Sequence, residues 1–323
     1  MSAQIPLVID CDPGVDDAVA LALAVASPEV DLRAVTTVAG NAPVEVTTAN
    51  ALRLLRAFGR DDVAVATGAD RPLVRNSFHG LAPPHGQNGL GDVEVPPAVH
   101  GARSQHAVEL LADVLRRAEQ QSVVIAAIGP LTNIALLVAL HPELMDRVDR
   151  LVVMCGSRGH GNITPVAEFN VWSDPEAAQR VLAGSGLRVC VVGLDVTRRA
   201  TLDLSALDAL RARSDRGALL ADMVRGYKDQ APGGWPMHDA LAVASIIDPA
   251  LVTMCGATIE VDTGLGAGRG QTICTLAGTG PYAPAFGEPP DGRTRAEVAI
   301  EVDVPRWREL VLERAAGTGQ PPG

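Results

Sequence analysis

Only one lysine, Lys228, stands in 323 residues, and aromatic residues make up just 3% of the chain. Lys plus Arg total 27 against 38 Asp plus Glu, a formal charge of −11, and the sequence pI is near 5.1. Phosphate backbones are held by clustered cations, and single strands by stacking aromatics as well, so this composition argues against a nucleic acid partner. The five cysteines, Cys11, Cys155, Cys190, Cys255 and Cys274, are odd in number and include no Cys-x-x-Cys pair. That speaks against a disulfide framework or a zinc knuckle and for a reducing compartment. Apolar stretches such as Ala18 to Ala26 end short of a bilayer-spanning length, and Met1 to Pro6 carries no charged leader before its apolar run. No membrane association and a cytoplasmic location are the expectation.

What the chain has in quantity is Ala, Val and Leu, within a hydrophobic fraction of 47%. That is enough for a sizeable core at this length. Short β-branched runs alternate with Ala/Leu-rich helical patterns: strand Ile5 to Ile9, helix Asp16 to Ala26, strand Leu32 to Val38, helix Val44 to Phe58 and strand Val63 to Ala66. A Pro/Gly-rich stretch, Ser77 to Val99, interrupts the pattern. It resumes with helix Ser104 to Glu119, strand Val123 to Ile128, helix Leu131 to Leu140, strand Arg150 to Met154, helix Asp174 to Leu182 and strand Arg188 to Val192. Strand-helix-strand spacing of this kind predicts an α/β fold: an open, mostly parallel sheet with helices on both faces. Helices Ser205 to Arg213, Arg216 to Tyr227 and Asp239 to Ile247 follow, then a Gly/Thr-rich β ribbon with long loops over Cys255 to Gly292. Strand Ala296 to Val302 and helix Pro305 to Ala315 close one domain over residues 1–316, with a frayed tail over 317–323.

The most informative segment is Asp10-Cys11-Asp12-Pro13-Gly14-Val15-Asp16-Asp17. Asp10 and Asp12 share one side of an extended chain, Pro13-Gly14 turns it, and Asp16 and Asp17 open a helix. Helix capping explains Asp16 and Asp17 but leaves Asp10 and Asp12 unaccounted for. Four crowded carboxylates require a cation among them, and a hard divalent ion bound by oxygen suits them. Asn41, Thr132, Asn133 and Met154 each fall at or just past the carboxyl end of a predicted parallel strand, where open α/β sheets form their ligand crevices. Taken singly, Asn41 or Thr132 is more readily a turn or cap residue; the shared location of the set favours a site. Asn162, Glu168 and Asn170 on the next loop offer the mixed donors and acceptors that sugar hydroxyls need, and Pro236-Met237-His238-Asp239 puts an imidazole beside a further carboxylate.

Together these segments resemble the inosine-uridine-preferring nucleoside hydrolase family. The collinear matches are Asp10 to Ala18, Thr36 to Asn41, His85 to Gly91, Gly129 to Asn133, Gly161 to Asn170 and Met237 to Asp239. Cys155 departs from the glycine that commonly follows the matched methionine. The resemblance implies a Rossmann-like nucleoside hydrolase fold and hydrolysis of free ribonucleosides to ribose and base around Ca²⁺. It further implies Asp12, Asp17, Asp239 and the Thr132 carbonyl as metal ligands, and Asp16, Asn41, Met154, Asn162, Glu168 and Asn170 as ribose contacts. Asp12 fits a general base and His238 a general acid; His85, Tyr227 and Trp235 are candidates for the base-facing wall. The substrate partner is a small nucleoside, and relatives are often dimers or tetramers, which implies a homo-oligomer.

Two other readings are weighed. Asp-x-Asp after a strand also begins Mg²⁺-dependent haloacid-dehalogenase-like phosphatases, but those normally carry Gly-Thr after the second Asp and an assisting lysine; here Pro13-Gly14 follows, and Lys228 is predicted in a helical context. A ribose-binding or nucleoside-binding protein without turnover would be marked by loss of Asp12, Asp17 or His238, and all three are present.

Overall fold

The computed structural model of the protein describes residues 4–76, 84–277 and 295–317. The first half alternates strand and helix: β1 (Ile5–Cys11), α1 (Val15–Ala26), β2 (Val30–Thr37), α2 (Val44–Ala57), β3 (Ala64–Thr67), α3 (Ala107–Arg116), β4 (Val123–Ala127), α4 (Thr132–Leu140) and β5 (Val148–Val153). There follow α5 (Phe169–Ser173), α6 (Pro175–Gly184), β6 (Arg188–Val191), α7 (Leu194–Thr197), β7 (Thr201–Leu202), α8 (Leu204–Arg213) and α9 (Asp215–Gly226). The chain then forms β8 (Trp235–Pro236), α10 (His238–Ile247), β9 (Val252–Val261), β10 (Thr272–Leu276), β11 (Arg295–Val302) and α11 (Val304–Arg314).

Nine strands make one sheet in the order β10-β9-β11-β6-β5-β4-β1-β2-β3. From β11 to β3 every pairing is parallel; β9 and β10 add an antiparallel hairpin at one edge. Strand alternation decides which face each residue feeds. Leu7, Ile9, Val124 and Ala126 join one apolar core with helices α1, α9, α10 and α11, while Val8, Ile125 and Ala127 join a second with α3, α4 and α6. Both faces being covered, the central strands read as unbroken hydrophobic runs. Helix α1 is rich in alanine and buried along most of its length, which lets it pack tightly against α10.

Most predicted elements are found, with shifts that have local causes. Helix α3 starts at Ala107 instead of Ser104 because the His106 imidazole accepts the Val108 N–H and caps the first turn. The β ribbon expected from Cys255 is the antiparallel pair β9 and β10, which starts at Val252 and extends the main sheet, β9 lying beside β11. Residues 278–294, within the long loops predicted there, lie outside the described residues, as do Ser77 to Pro83 of the Pro/Gly-rich stretch and 318–323 of the predicted frayed tail. Helix α9 ends at Gly226, so Lys228 stands in a loop, correcting its predicted helical context. The close approach of Gly226 to Gly91 leaves no room for a side chain there: a Cβ would stand 2.1 Å from the Gly91 carbonyl oxygen. No helix among the described residues is long and apolar enough to cross a membrane.

The chain reverses its direction across the sheet at β1, proceeding to β2 and β3 on one side and resuming at β4 on the other. A crevice opens outside the carboxyl ends of strands at such a switch point. The four N-terminal aspartates stand there.

Candidate active site

The turn after β1 is shaped to bring carboxylates together. The Asp17 carboxylate accepts the Gly14 N–H at 2.8 Å, which closes the first turn of α1, and the positive end of the helix favours both Asp16 and Asp17. Asp12 accepts the Asn41 N–H at 2.6 Å, so the segment after β2 is tied to the segment after β1. Gly40 and Gly129 permit this approach; a Cβ on either would stand 2.1 or 2.6 Å from an Asp12 carboxylate oxygen. Behind them Asp10 accepts from the Thr36 hydroxyl at 2.6 Å and from the Asn133 amide at 2.8 Å, which supports the cluster from the sheet.

These bonds leave one oxygen each of Asp10, Asp16 and Asp17 buried without a hydrogen-bond partner. Carboxylate oxygens of Asp16, Asp17 and Asp239 lie within 4.8 Å of one another, and all three residues are buried. Burial pushes the Asp10 carboxyl up to about 7. Burial raises Asp12, Asp17 and Asp239 as well, and repulsion among the neighbouring carboxylates adds to it. A cluster held above its ordinary range, with orphaned oxygens converging, fits a hard divalent cation bound by oxygen.

A cavity of about 570 Å³ opens over this cluster. One wall carries Met154, Asn162, Glu168 and Asn170. Glu168 caps α5, its oxygens accepting the Asn170, Val171 and Gly156 N–H groups at 2.8, 3.1 and 3.0 Å, and burial raises its carboxyl in spite of them. The Asn170 amide nitrogen is used by the carbonyls of Ile128 and Met154 at 2.9 and 3.0 Å, which leaves its side-chain oxygen for a ligand. Asn162 lines the same wall, its oxygen accepting the Phe169 N–H at 2.9 Å.

The other wall joins two loops. His85 stacks on Tyr227 with ring centroids 4.7 Å apart, and the Lys228 N–H donates to the Pro84 carbonyl at 2.8 Å. His85 Nδ1 accepts the Val15 N–H at 3.0 Å, so the ring proton sits on Nε2, and burial lowers its pKa. His238 at the start of α10 holds Nδ1 2.7 Å from the Thr197 hydroxyl, while its Nε2 stands 3.5 Å from an Asp229 carboxylate oxygen. The imidazole beside Asp229 lowers that carboxyl.

Asp12, Asp16, Asn41, His85, Met154, Asn162, Glu168, Asn170, Tyr227, His238 and Asp239 therefore share one cavity. Asp17 and Thr132 are buried and do not line it; the Thr132 hydroxyl is taken by Asp174 at 2.7 Å, which leaves its carbonyl for any ligand role. Trp235 does not face the cavity, against the expectation: its ring packs in the core and its Nε1–H is used by the Tyr227 carbonyl at 2.9 Å. Cys155 is fully buried and is absent from the lining too. Sequence reading missed Asp229 and Phe169, both lining residues. Asp229 lies nine positions before His238 with no motif around it, and only the fold brings the pair together.

A doubly covered parallel sheet with an acidic, ligand-sized crevice at its switch point defines an α/β enzyme that handles a small polar substrate. The particular kind follows from comparison: a profile of the inosine-uridine preferring nucleoside hydrolase family matches residues 7–309, and the chain belongs to that family. Among its relatives, pyrimidine-specific ribonucleoside hydrolase RihA of Escherichia coli O1:K1 is 38% identical over 318 residues, covering 96% of this chain and 98% of that protein. Non-specific ribonucleoside hydrolase RihC of Klebsiella pneumoniae is 39% identical over 316 residues, covering 97% and 99%. The structure of the purine-preferring ribonucleoside hydrolase from Gardnerella vaginalis superposes with a TM-score of 0.87 at 34% identity, covering 96% and 98%. The chain is thus an enzyme of the ribonucleoside hydrolase family, whose reaction yields ribose and a free base.

Proposed function

We propose that the enzyme hydrolyses the N-glycosidic bond of free ribonucleosides with Ca²⁺ in its acidic cluster. The observation that carries this reading is the convergence of buried, partly unpartnered carboxylates on the floor of a cavity flanked by Glu168 and Asn170. Asp12, Asp17, Asp239 and the Thr132 carbonyl would hold the ion, with Asp16 close enough to share it. Ca²⁺, which takes ~6–8 oxygen ligands, would when bound there neutralise the cluster and polarise a water and sugar hydroxyls.

The residues themselves do the rest. Asn41, Met154, Asn162, Glu168 and Asn170, with Asp16, orient the ribose. As the C1′–N bond breaks, the sugar gains oxocarbenium character, and the carboxylates around it stabilise the positive charge. Asp12 takes the proton of the attacking water. His238 gives a proton to the departing base, and Asp229 stands beside its Nε2. His85, neutral and carrying its proton on Nε2, can donate to a base acceptor, while Tyr227 fixes its plane. The names of the relatives range over pyrimidine-specific, non-specific and purine-preferring enzymes, which supports the ribose as the shared element of recognition. The five free cysteines support a cytoplasmic location.

The test is a panel of inosine, uridine and cytidine with EDTA and with Ca²⁺ added back, beside p-nitrophenyl riboside and p-nitrophenyl phosphate. Base release that EDTA stops and Ca²⁺ restores is expected. Phosphate release without riboside cleavage would reverse the reading, and ribose binding by calorimetry with no base released would make the protein a binding module.

A further inference from the structure

The wall bearing Glu168 follows β5 as a loop, and its joint is Gly156, at φ +73, a conformation natural to glycine alone. The Gly156 N–H donates to Glu168 Oε2 at 3.0 Å, the one of that carboxylate's three backbone donors that comes from outside its own helix cap, so the setting of this glycine contributes to where the carboxylate lies. What fixes the joint comes from 115 residues further along the chain, in the hairpin at the sheet edge. The Thr272 hydroxyl accepts the Ser157 N–H at 2.9 Å and donates to the Ser157 carbonyl at 2.6 Å. Its methyl closes the remaining space: a Cβ on Gly156 would stand 2.8 Å from Thr272 Cγ2. Thr272 and Ser157 are both buried, so no solvent stands in for these bonds. The hairpin is itself anchored to the same region by a bridge between Ala167 and Gln271 and by Arg269, which reaches both Glu176 oxygens at 2.7 and 2.8 Å.

We propose that Thr272 is a positioning residue for ribose recognition: its hydroxyl clamps Ser157, which holds Gly156 so that the Gly156 N–H aims the Glu168 carboxylate into the cavity. This rests on the reading of Glu168 as a ribose contact. The antiparallel hairpin is thereby a working part of the sugar site as well as an edge to the sheet.

Thr272→Val removes the hydroxyl at nearly constant volume and leaves two buried Ser157 groups unpaired. It is expected to raise the nucleoside KM about tenfold with a smaller change in kcat, whereas Thr272→Ser stays within about twofold of the wild type. A loss of packing alone would also lower Tm, so the deciding measurement is a double-mutant cycle with Glu168→Gln. If Thr272 acts through Glu168, adding Thr272→Val to Glu168→Gln raises KM no further; Thr272→Ala, a second variant without the hydroxyl, must obey the same cycle. Losses that multiply, a Ser variant as impaired as the Val variant, or a Thr272→Val enzyme of normal KM overturns the inference while leaving the ribose reading intact. A Glu168→Gln enzyme of normal KM overturns both.

Discussion

The acidic turn puts four carboxylates between Asp10 and Asp17, whereas the facing wall is assembled from His85, Tyr227, Asp229 and His238, spread from residue 85 to residue 238. The acidic side sits on strand ends and the first turn of α1, where backbone N–H groups hold Asp12 and Asp17 and the Thr36 and Asn133 side chains hold Asp10. The other side depends on contacts between loops, such as the His85–Tyr227 stack and the Lys228–Pro84 backbone bond. On the proposed reading, chemistry common to all ribonucleosides belongs on the first side, and discrimination among bases on the second. Loops change without disturbing the sheet, so one scaffold can serve different bases.

The largest effect expected to separate the two sides is loss of the proposed ion. The native cluster binds protons that the unfolded chain has already released, since Asp10 is held at about 7 against 3.8 and Asp12, Asp17 and Asp239 are raised with it. Without a cation, this contribution to stability is full below about pH 4 and is lost as pH rises through those folded-state values. On the proposed reading Ca²⁺ would relieve the repulsion of the ionised form, so at one fixed Ca²⁺ concentration the stabilisation, about 2.7 kcal/mol where that concentration is a hundredfold above Kd, and the rise in Tm that goes with it should be greater at pH 8 than at pH 5. Thermal melts with EDTA and with Ca²⁺ at both pH values measure this, and an increment that ignores pH would remove the cluster as the ion's site.

Asp12→Ala should follow, lowering kcat on the order of 10⁴-fold and equally for purine nucleosides, pyrimidine nucleosides and p-nitrophenyl riboside, because water activation does not involve the base. A loss confined to one base would break the division between the walls. His238→Ala should cost roughly 10²-fold with inosine and far less with p-nitrophenyl riboside, whose leaving group needs little protonation. Equal losses with both would take His238 out of the acid role. Asp229→Asn, acting through the imidazole 3.5 Å away, should show the same substrate dependence at about tenfold. An Asp229→Asn enzyme indifferent to the leaving group would leave that carboxylate as a surface charge.

The same contrast explains how much could be read from the chain. Alternating strand and helix, the acidic turn and its helix start are local patterns, so β1, α1 and the crowding of Asp10, Asp12, Asp16 and Asp17 are visible in eight residues. The sites of Asn41 and Met154 follow from the rule that ligands collect at strand carboxyl ends, and Glu168 is read from the polar groups of the loop after Met154. Asp229 and Thr272 have no such rule. One meets His238 only because α9 stops at Gly226, and the other meets Ser157 only because β10 joins the far edge of the sheet. Tyr227 and Trp235 are equivalent as sequence, two aromatics ahead of His238; only packing puts one ring over His85 and the other in the core.

That last pair gives the smallest effect and the finest test of where the base-facing wall ends. Trp235→Phe keeps an aromatic ring in the core and deletes the Nε1–H bond to the Tyr227 carbonyl. One buried hydrogen bond is worth about 1 kcal/mol, a Tm decrease of roughly 2–4 °C in a protein of this size or somewhat less. Because the ring does not line the cavity, KM should stay within about twofold for every nucleoside, whereas Tyr227→Leu, which unstacks His85, should raise it severalfold at about 0.5–1.5 kcal/mol. A Trp235→Phe enzyme with altered base preference and an unchanged Tm would extend the wall one layer outward, to the indole that holds Tyr227 in place.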